Sequence, residues 1–416
     1  MPTIAIVGAG ISGLHLALRL QQAGMPTTLY TERGAEELAE GRPVNLVVRF
    51  EHTRERDRVL GVDHWDRPEC GMYGVGFSAL GGELALEFFG SLTRPASAVD
   101  FRIYLPRLLS DYAERGGTVD RITAGAPAIA AIADRHDLVV VSSGRRSIAE
   151  LFPRDPARSP YTAPQRIITA GYFTGIAPMP EGGVHFQLCP GVGEVFCTRM
   201  LSVGGLAHGL NIEAVPGGPL ERVAHLSYDE DPAGFRRSVL RLLAEHAPAL
   251  RARVDERIFD LVRPIDLLKG AITPTVRTGW AALPEGGYAM ALGDAWVVND
   301  PVVGQGANLG SHSAFVLADA ILAGPPYDEA FCRAAEARMW EFGRSATEWS
   351  NAFLMPPAPH AIELLAGATQ DRRIADAFAD NFNDPQEMWR LLGSPAETRA
   401  WLAEFGASPT LAAAPG

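Results

Sequence analysis

The chain opens with two different hydrophobic periods. Thr3 to Val7 is a short apolar run of buried-strand type, and Ile11 to Ala23 has helical spacing closed by Gly24. Thr27 to Tyr30 repeats the strand pattern and ends at Thr31-Glu32-Arg33, so a β-α-β unit stands at the N-terminus. Further along, Glu83 to Phe89, Val184 to Leu188 and Glu194 to Cys197 are short or alternating apolar segments between Gly and Pro. That pattern predicts a second, antiparallel sheet. Asp137 to Ser143 is a buried strand that fits the parallel sheet better. Pro232 to Ala249 carries Phe235, Val239, Leu242 and Leu243 at helical spacing, with Pro232 suited to a first turn. A strand over Tyr288 to Leu292 leads through a loop into a helix from Gln305 to Leu322. The remainder reads as mainly helical, with Trp340, Trp349, Trp389 and Trp401 as packing anchors.

Composition then narrows the function classes. A chain of 416 residues exceeds what one core usually organises, which predicts two domains or one elaborated fold. A hydrophobic share of 47% excludes a disordered chain, and a net charge of −12 without a basic cluster argues against nucleic acid and anionic membranes. No apolar run reaches the roughly 18 residues of a spanning helix, and the start lacks the cationic region of a secretory signal. Cys70, Cys189, Cys197 and Cys332 show neither C-x-x-C spacing nor clustering with His, so no disulfide framework and no metal site is expected. These features predict a cytoplasmic enzyme. Lys269 is the single lysine, which leaves one candidate for any mechanism that needs one.

Two stretches carry chemistry. Gly8-Ala-Gly10-Ile11-Ser12-Gly13 follows a strand and opens a helix. Gly8 permits the tight turn, Gly10 lets a pyrophosphate approach the backbone, and Gly13 lets helix and strand pack closely. The phosphates then rest on free N–H groups at the helix start, and Glu32 at the end of the second strand can accept from the adenosine ribose. The second stretch is Gly293-Asp294 through Pro301-Val-Val-Gly304-Gln305-Gly306-Ala307-Asn308. Asp294 can accept from a ribityl hydroxyl, while Gly304 and Gly306 let backbone approach a flat ring. The helix beginning there aims N–H groups at the N1–C2=O edge, where reduced flavin carries negative charge. Together the two stretches favour FAD over a nicotinamide.

With Arg102 and the Asp137 to Gly144 strand, these motifs resemble the flavoprotein monooxygenases of the aromatic hydroxylase fold. The resemblance implies an α/β fold in three parts. A Rossmann-like FAD-binding domain of aromatic hydroxylase and glutathione reductase type would be built from 1–48, 97–150 and 270–325. A mainly antiparallel substrate domain would take 49–96 and 151–269, and a mainly helical region 326–416. In single-component members the middle strand leads into an Asp-Gly pair that serves FAD and NADPH. Here it reads Ser142-Ser143-Gly144-Arg145-Arg146-Ser147, and no nicotinamide site is visible. More detailed stretches are similar to the epoxidase component of the styrene and indole monooxygenases. They are Leu29 to Arg33, Pro95 to Tyr104, Pro164-Gln-Arg166, Tyr228 to Pro232, Asp300 to Asn308 and Asp380 to Asn383. The likeness runs from Ile4 to about Phe405, nearly the whole chain.

That resemblance implies reduced FAD delivered by a separate NADH-dependent flavin reductase, with O2 as co-substrate. A C4a-(hydro)peroxyflavin would epoxidise a styrene-type vinylarene or oxidise an aryl sulfide. Arg33, Arg42 and Arg102 would serve the cofactor, Arg102 as a bidentate donor to the pyrophosphate, and Asn45 would lie beside the isoalloxazine as the catalytic candidate. Val47, Arg49, Met72, Val75 and Ala96 match the substrate pocket. Styrene-acting members carry His, Tyr, His and Ser at the positions of Arg49, Met72, Val75 and Ala96, so the pocket here is altered. The reaction requires no acid/base dyad, and His52, His64 and His312 are isolated in sequence. Indole oxidation stays open as an alternative, and from another class so does a non-catalytic FAD-fold prenyl-protein escort. A tryptophan halogenase would need a lysine and a W-x-W-x-I-P stretch, neither of which stands around Lys269. A homodimer is left open.

Overall fold

The computed structural model describes residues 1–81, 84–123, 125–144, 150–284 and 286–406. Glu83 and Arg145 to Ser147, named above, lie outside them. β1 (Ile4–Val7) is buried at all four positions because it lies inside a six-stranded sheet covered on both faces. It pairs in parallel with β2 (Thr27–Thr31) on one side and with Leu138–Val141 on the other. Thr118–Arg121 and Tyr288–Ala291 extend the parallel array outward, and Trp280–Ala282 closes one edge in the antiparallel sense. The connecting helix α1 (Ile11–Gln22) packs against a helix from the far end of the chain, Gly306–Leu322. The parallel sheet therefore draws on N-terminal, middle and late segments.

A second sheet of nine strands is antiparallel except where Gly71–Gly81 runs parallel to Val184–Cys189. It contains the strands expected at Val184 to Leu188 and Glu194 to Cys197, as Val184–Cys189 and Gly193–Ser202. The strand expected at Glu83 to Phe89 is far longer, Leu84–Ala98. Polar residues and Pro95 hide its length, and side-chain carboxylates take over part of its hydrogen bonding. Ser91 N–H donates to Asp376 at 2.7 Å and Thr93 N–H to Asp380 at 2.8 Å, both on the helix Arg372–Asp380.

That helix is one of five that follow the late helix: Glu329–Phe353, Pro359–Gln370, Arg372–Asp380, Pro385–Leu392 and Pro395–Glu404. Their starts are written in the sequence, with Asp328, Asp371, Asp384 and Ser394 capping and Pro in several first turns. They cover the long hairpin. A Cβ at Gly90 would stand 2.0 Å from the Ala375 carbonyl, so helix and strand are in backbone contact there. Phe378 packs edge-on against Phe88 at 5.6 Å, and Phe88 stacks on Phe77 at 5.3 Å. Trp349 and Trp401 are buried anchors, while Trp340 and Trp389 are half-buried.

Candidate functional site

A cleft of about 430 Å³ runs across the carboxyl ends of β1 and β2 to the start of the helix Gly306–Leu322. Open parallel sheets place ligands at such an edge. Its walls come from Gly8 to Ser12, Tyr30 to Arg33, Val44 to Val47, Ser142 to Gly144, Asp294, Val298 to Asn299, and Pro301 to Ala307 in part. Both helices that start here, at Ile11 and at Gly306, lack a side-chain cap, so their first N–H groups are left for a ligand.

The glycines of the first motif divide as their spacing implies. A Cβ at Gly13 would lie 2.1 Å from the Gly8 carbonyl and 2.4 Å from Ser142 Oγ, so α1 can approach the strand only without one. Gly8 has φ of 121°, and its carbonyl accepts from Ser142 Oγ at 2.9 Å. A Cβ at Gly10 would meet nothing within 4 Å, because this position faces open cleft. Gly10→Ala should therefore melt like the parent and bind FAD about tenfold more weakly, about 1.4 kcal/mol. Gly13→Ala should lose about 1–3 kcal/mol of stability as well. Thermal unfolding beside flavin-fluorescence quenching checks both, and equal melting of the two variants would refute the division.

At the other end, Gly144 brings the chain against Asp294, where a Cβ would stand 2.6 Å from the aspartate Cβ. Burial raises the Asp294 carboxyl above the usual carboxylate range, and the Arg277 charge opposes the shift. Asn45 lines the cleft with Oδ1 buried and unpartnered. Asn299, which sequence reasoning missed, does the same with both amide atoms. Two uncapped helix starts, an open glycine cradle and orphaned amides fit a dinucleotide carrying a flat polar ring. Glu32, Arg33, Val47, Pro301, Gly304, Gly306 and Ala307 are cleft residues too.

Other expected residues stand elsewhere. Arg102 is 4% exposed, with Nη2 on Asp100 at 2.6 Å and Nη1 on Asp266 at 2.6 Å. Two buried carboxylates thus occupy the guanidinium that was expected to reach the pyrophosphate. Arg42 lies on the surface beside Tyr228 and Lys269, lining a separate hollow. Gln305 and Asn308 hold the loop from behind. Gln305 Nε2 donates to the Phe382 carbonyl at 2.9 Å, and Asn308 Oδ1 accepts from Phe50 N–H at 2.9 Å and Thr53 Oγ1 at 2.8 Å. Gly293, at φ of 58°, gives Ser12 room, since a Cβ would lie 2.5 Å from its Oγ.

Of the expected pocket, Val47 lines the cleft, while Met72, Val75 and Ala96 do not. Met72 and Ala96 are direct partners across the long hairpin, and with Val75 they join the core that contains Phe50, Val302 and Val303. Arg49 is fully buried and turns away from the cleft, paired with Asp57, donating to Ser97 Oγ at 3.1 Å and lying 4.2 Å over the Tyr104 ring. Among the described residues no group of three or more His, Cys, Asp or Glu could hold a metal, and no helix is long and apolar enough to cross a membrane.

Residues 144–253 match the family model described as "Styrene monooxygenase A putative substrate binding domain". Styrene monooxygenase StyA of Pseudomonas fluorescens is 36% identical over 414 residues, covering 99% of this chain and 99% of the relative. A StyA from a Pseudomonas species matches at 36% with the same coverage. Among solved structures, the flavin-dependent brominase Bmp2 superposes with a TM-score of 0.70 at 14% identity, over 97% of this chain and 99% of that one. The tetrameric form of 2-methyl-3-hydroxypyridine-5-carboxylic acid oxygenase gives 0.59 at 15% identity, over 85% and 91%. These structures show a shared fold of the FAD-binding aromatic hydroxylase type. The full-length likeness to StyA shows the family: this chain is a flavin monooxygenase that belongs to the styrene monooxygenases.

Proposed function

We propose that this chain is the oxygenase component of a two-component system in the cytoplasm. It takes FAD already reduced by a separate NADH-dependent reductase and, with O2, epoxidises styrene-type vinylarenes and oxygenates aryl sulfides. The observation that carries this reading is the cleft wall at Ser142-Ser143-Gly144. Where a single-component hydroxylase has an Asp-Gly pair, Ser142 spends its hydroxyl on the Gly8 and Val7 carbonyls, at 2.9 and 3.3 Å.

Reduced FAD, when bound, supplies the activation of O2. The protein's part is binding, orientation and exclusion of water. Gly8 to Ser12 and Glu32 would hold the dinucleotide, and Asp294 the ribityl chain. The uncapped start of Gly306–Leu322 would favour an anionic reduced ring over the neutral oxidised one. Asn45 would orient the reacting oxygen, and Val47 would offer an apolar wall to the substrate. Halogenation, the activity in the name of the brominase neighbour, is disfavoured by the single lysine. Lys269 donates to the Leu226 carbonyl and lies 5.6 Å from the Phe235 ring centre, outside the cleft.

The protein alone with FAD and NADH should neither oxidise NADH nor convert styrene, and adding any FAD reductase should start epoxide formation. NADH oxidation stimulated by substrate in the protein alone would overturn the two-component reading. Under equal supply of reduced FAD, a kcat/KM for indole about tenfold above that for styrene would transfer the assignment to indole.

A further inference from the structure

Behind the flavin-facing turn at 300–304 lies a group of charges that cofactor binding does not use. Glu194 and Glu213 are direct partners across the strands Gly193–Ser202 and Gly205–Ala214, so two carboxyls face each other on one side of the sheet. Both are buried, at 1% and 0% exposure, and like charges so placed repel. Arg166, on the next strand, answers one of them. Its Nε and Nη2 meet Glu194 Oε2 and Oε1 at 2.6 and 2.8 Å, a bidentate pair, and its Nη1 is turned to the Gln165 carbonyl.

Glu213 is left to the turn. Its Oε1 accepts from Asn211 Nδ2 at 2.6 Å, and its Oε2 has no donor. Asp300, 1% exposed, is in the same state: Oδ1 accepts from Val302 N–H at 3.2 Å, and Oδ2 has no donor. The two carboxyls contact each other as hydrogen-bonding partners. Two acceptors can bond only with a proton between them. The other groups facing Asp300 are the charges of Arg166 and Glu194, the Tyr161 phenol and the Ser350 hydroxyl. The hydroxyl donates to the Asp300 backbone carbonyl at 2.9 Å rather than to the carboxyl, and the Arg166 charge is already bound to Glu194.

We propose that Glu213 and Asp300 share a single proton, and that this proton holds the turn at 300–304 onto the antiparallel sheet, making Glu213 a positioning residue for the cofactor. Asp300 caps the turn Pro301–Val303, and both Asn299 before it and Pro301 after it line the cleft. Losing the proton would set two buried carboxylates against each other and push the cleft wall out of register. Burial raises both groups above the usual carboxylate range. The Asp300 charge and its hydrogen bond raise Glu213 further, while the hydrogen bond from Glu213 opposes the shift at Asp300, so the proton resides on Glu213.

The cofactor role rests on the flavin reading, whereas the shared proton is testable without flavin. Infrared spectra of the full chain at neutral pH should show a carbonyl stretch of an un-ionised carboxyl, absent from Glu213→Gln and from Asp300→Asn. No such band in the parent, or its survival in both variants, overturns the proposal. With FAD added, the parent's Kd should rise about tenfold per pH unit once the pair titrates, the signature of one proton. Glu213→Gln puts a permanent N–H donor opposite Asp300 and should bind FAD with less than a twofold change over the same range. A rise as steep as the parent's would remove Glu213 from that role. Should Glu213→Gln fail to fold, Asp300→Asn and the parent band still decide the shared proton. Failure of the parent to bind FAD at any pH would count against the flavin reading, and the infrared result would stand.

Discussion

Replacing Asp57 by alanine will cost about 3–5 kcal/mol of stability, the penalty for leaving a buried partner charge alone. Asp57 and Arg49 are both fully enclosed and paired to each other. The other Asp57 oxygen accepts from the Tyr104 hydroxyl at 2.6 Å and lies 3.1 Å from His15 Nε2, while His15 Nδ1 reaches Ser311 Oγ at 3.0 Å. One network thus ties α1, the helix Glu51–Leu60, the helix Phe101–Glu114 and the helix Gly306–Leu322 beneath the cleft. Removing the aspartate leaves the buried Arg49 guanidinium without its paired carboxylate, with Ser97, the Tyr104 ring and the more distant Asp63 charge around it. Urea unfolding of parent and variant measures the loss. A change under about 1 kcal/mol would mean that water reaches Arg49 and that the network is not closed.

The same network shows where sequence reading stops. The N-terminal β-α-β unit was legible because strand, glycine spacing and acid are local: Gly8, Gly10, Gly13 and Glu32 act within one unit of the chain. Arg49 was expected in the pocket because the family resemblance aligns it with a pocket position. Its actual partners, Ser97 and Tyr104, are brought to it by tertiary packing. Arg102 is a similar case. Asp100 stands two residues away, but Asp266 is 164 positions distant, and no local pattern announces it. Glu194 and Glu213 sit at strand positions that alternation alone would assign to solvent. Asn299 left no signal either, since a loop asparagine before Asp-Pro is ordinarily a turn residue. Elements set by periodicity and caps were readable. Buried polar groups were not, because their meaning lies in partners that only the fold supplies.

Stability will fall steeply in mild acid. His15 is fully buried, and His185 and His208 are 3% and 8% exposed. Burial, reinforced by neighbouring arginines, lowers His15 to about 3 and His185 and His208 to about 4. All three are therefore neutral in the folded protein below the pH at which the unfolded chain protonates them, near 6.5. Where the unfolded state binds more protons, stability rises with pH. The stabilisation is complete above about 6.5 and is lost as pH falls towards the folded values, at about 1.4 kcal/mol per pH unit for each imidazole. The proton shared by Glu213 and Asp300 acts in the opposite sense, because the folded state keeps it where unfolded carboxylates release theirs. Burial and the Arg56 charge lower His312 to about 3 as well, a fourth imidazole of the same kind. The shared proton therefore offsets one of four and leaves a decline of about 4 kcal/mol per pH unit between about pH 6.5 and 4.5. Urea midpoints collected across that range should trace this slope. A flat profile would show that the imidazoles gain protons in place, with water or a carboxylate reaching His185 Nε2 and His208 Nε2, the buried nitrogens that have no partner in the fold.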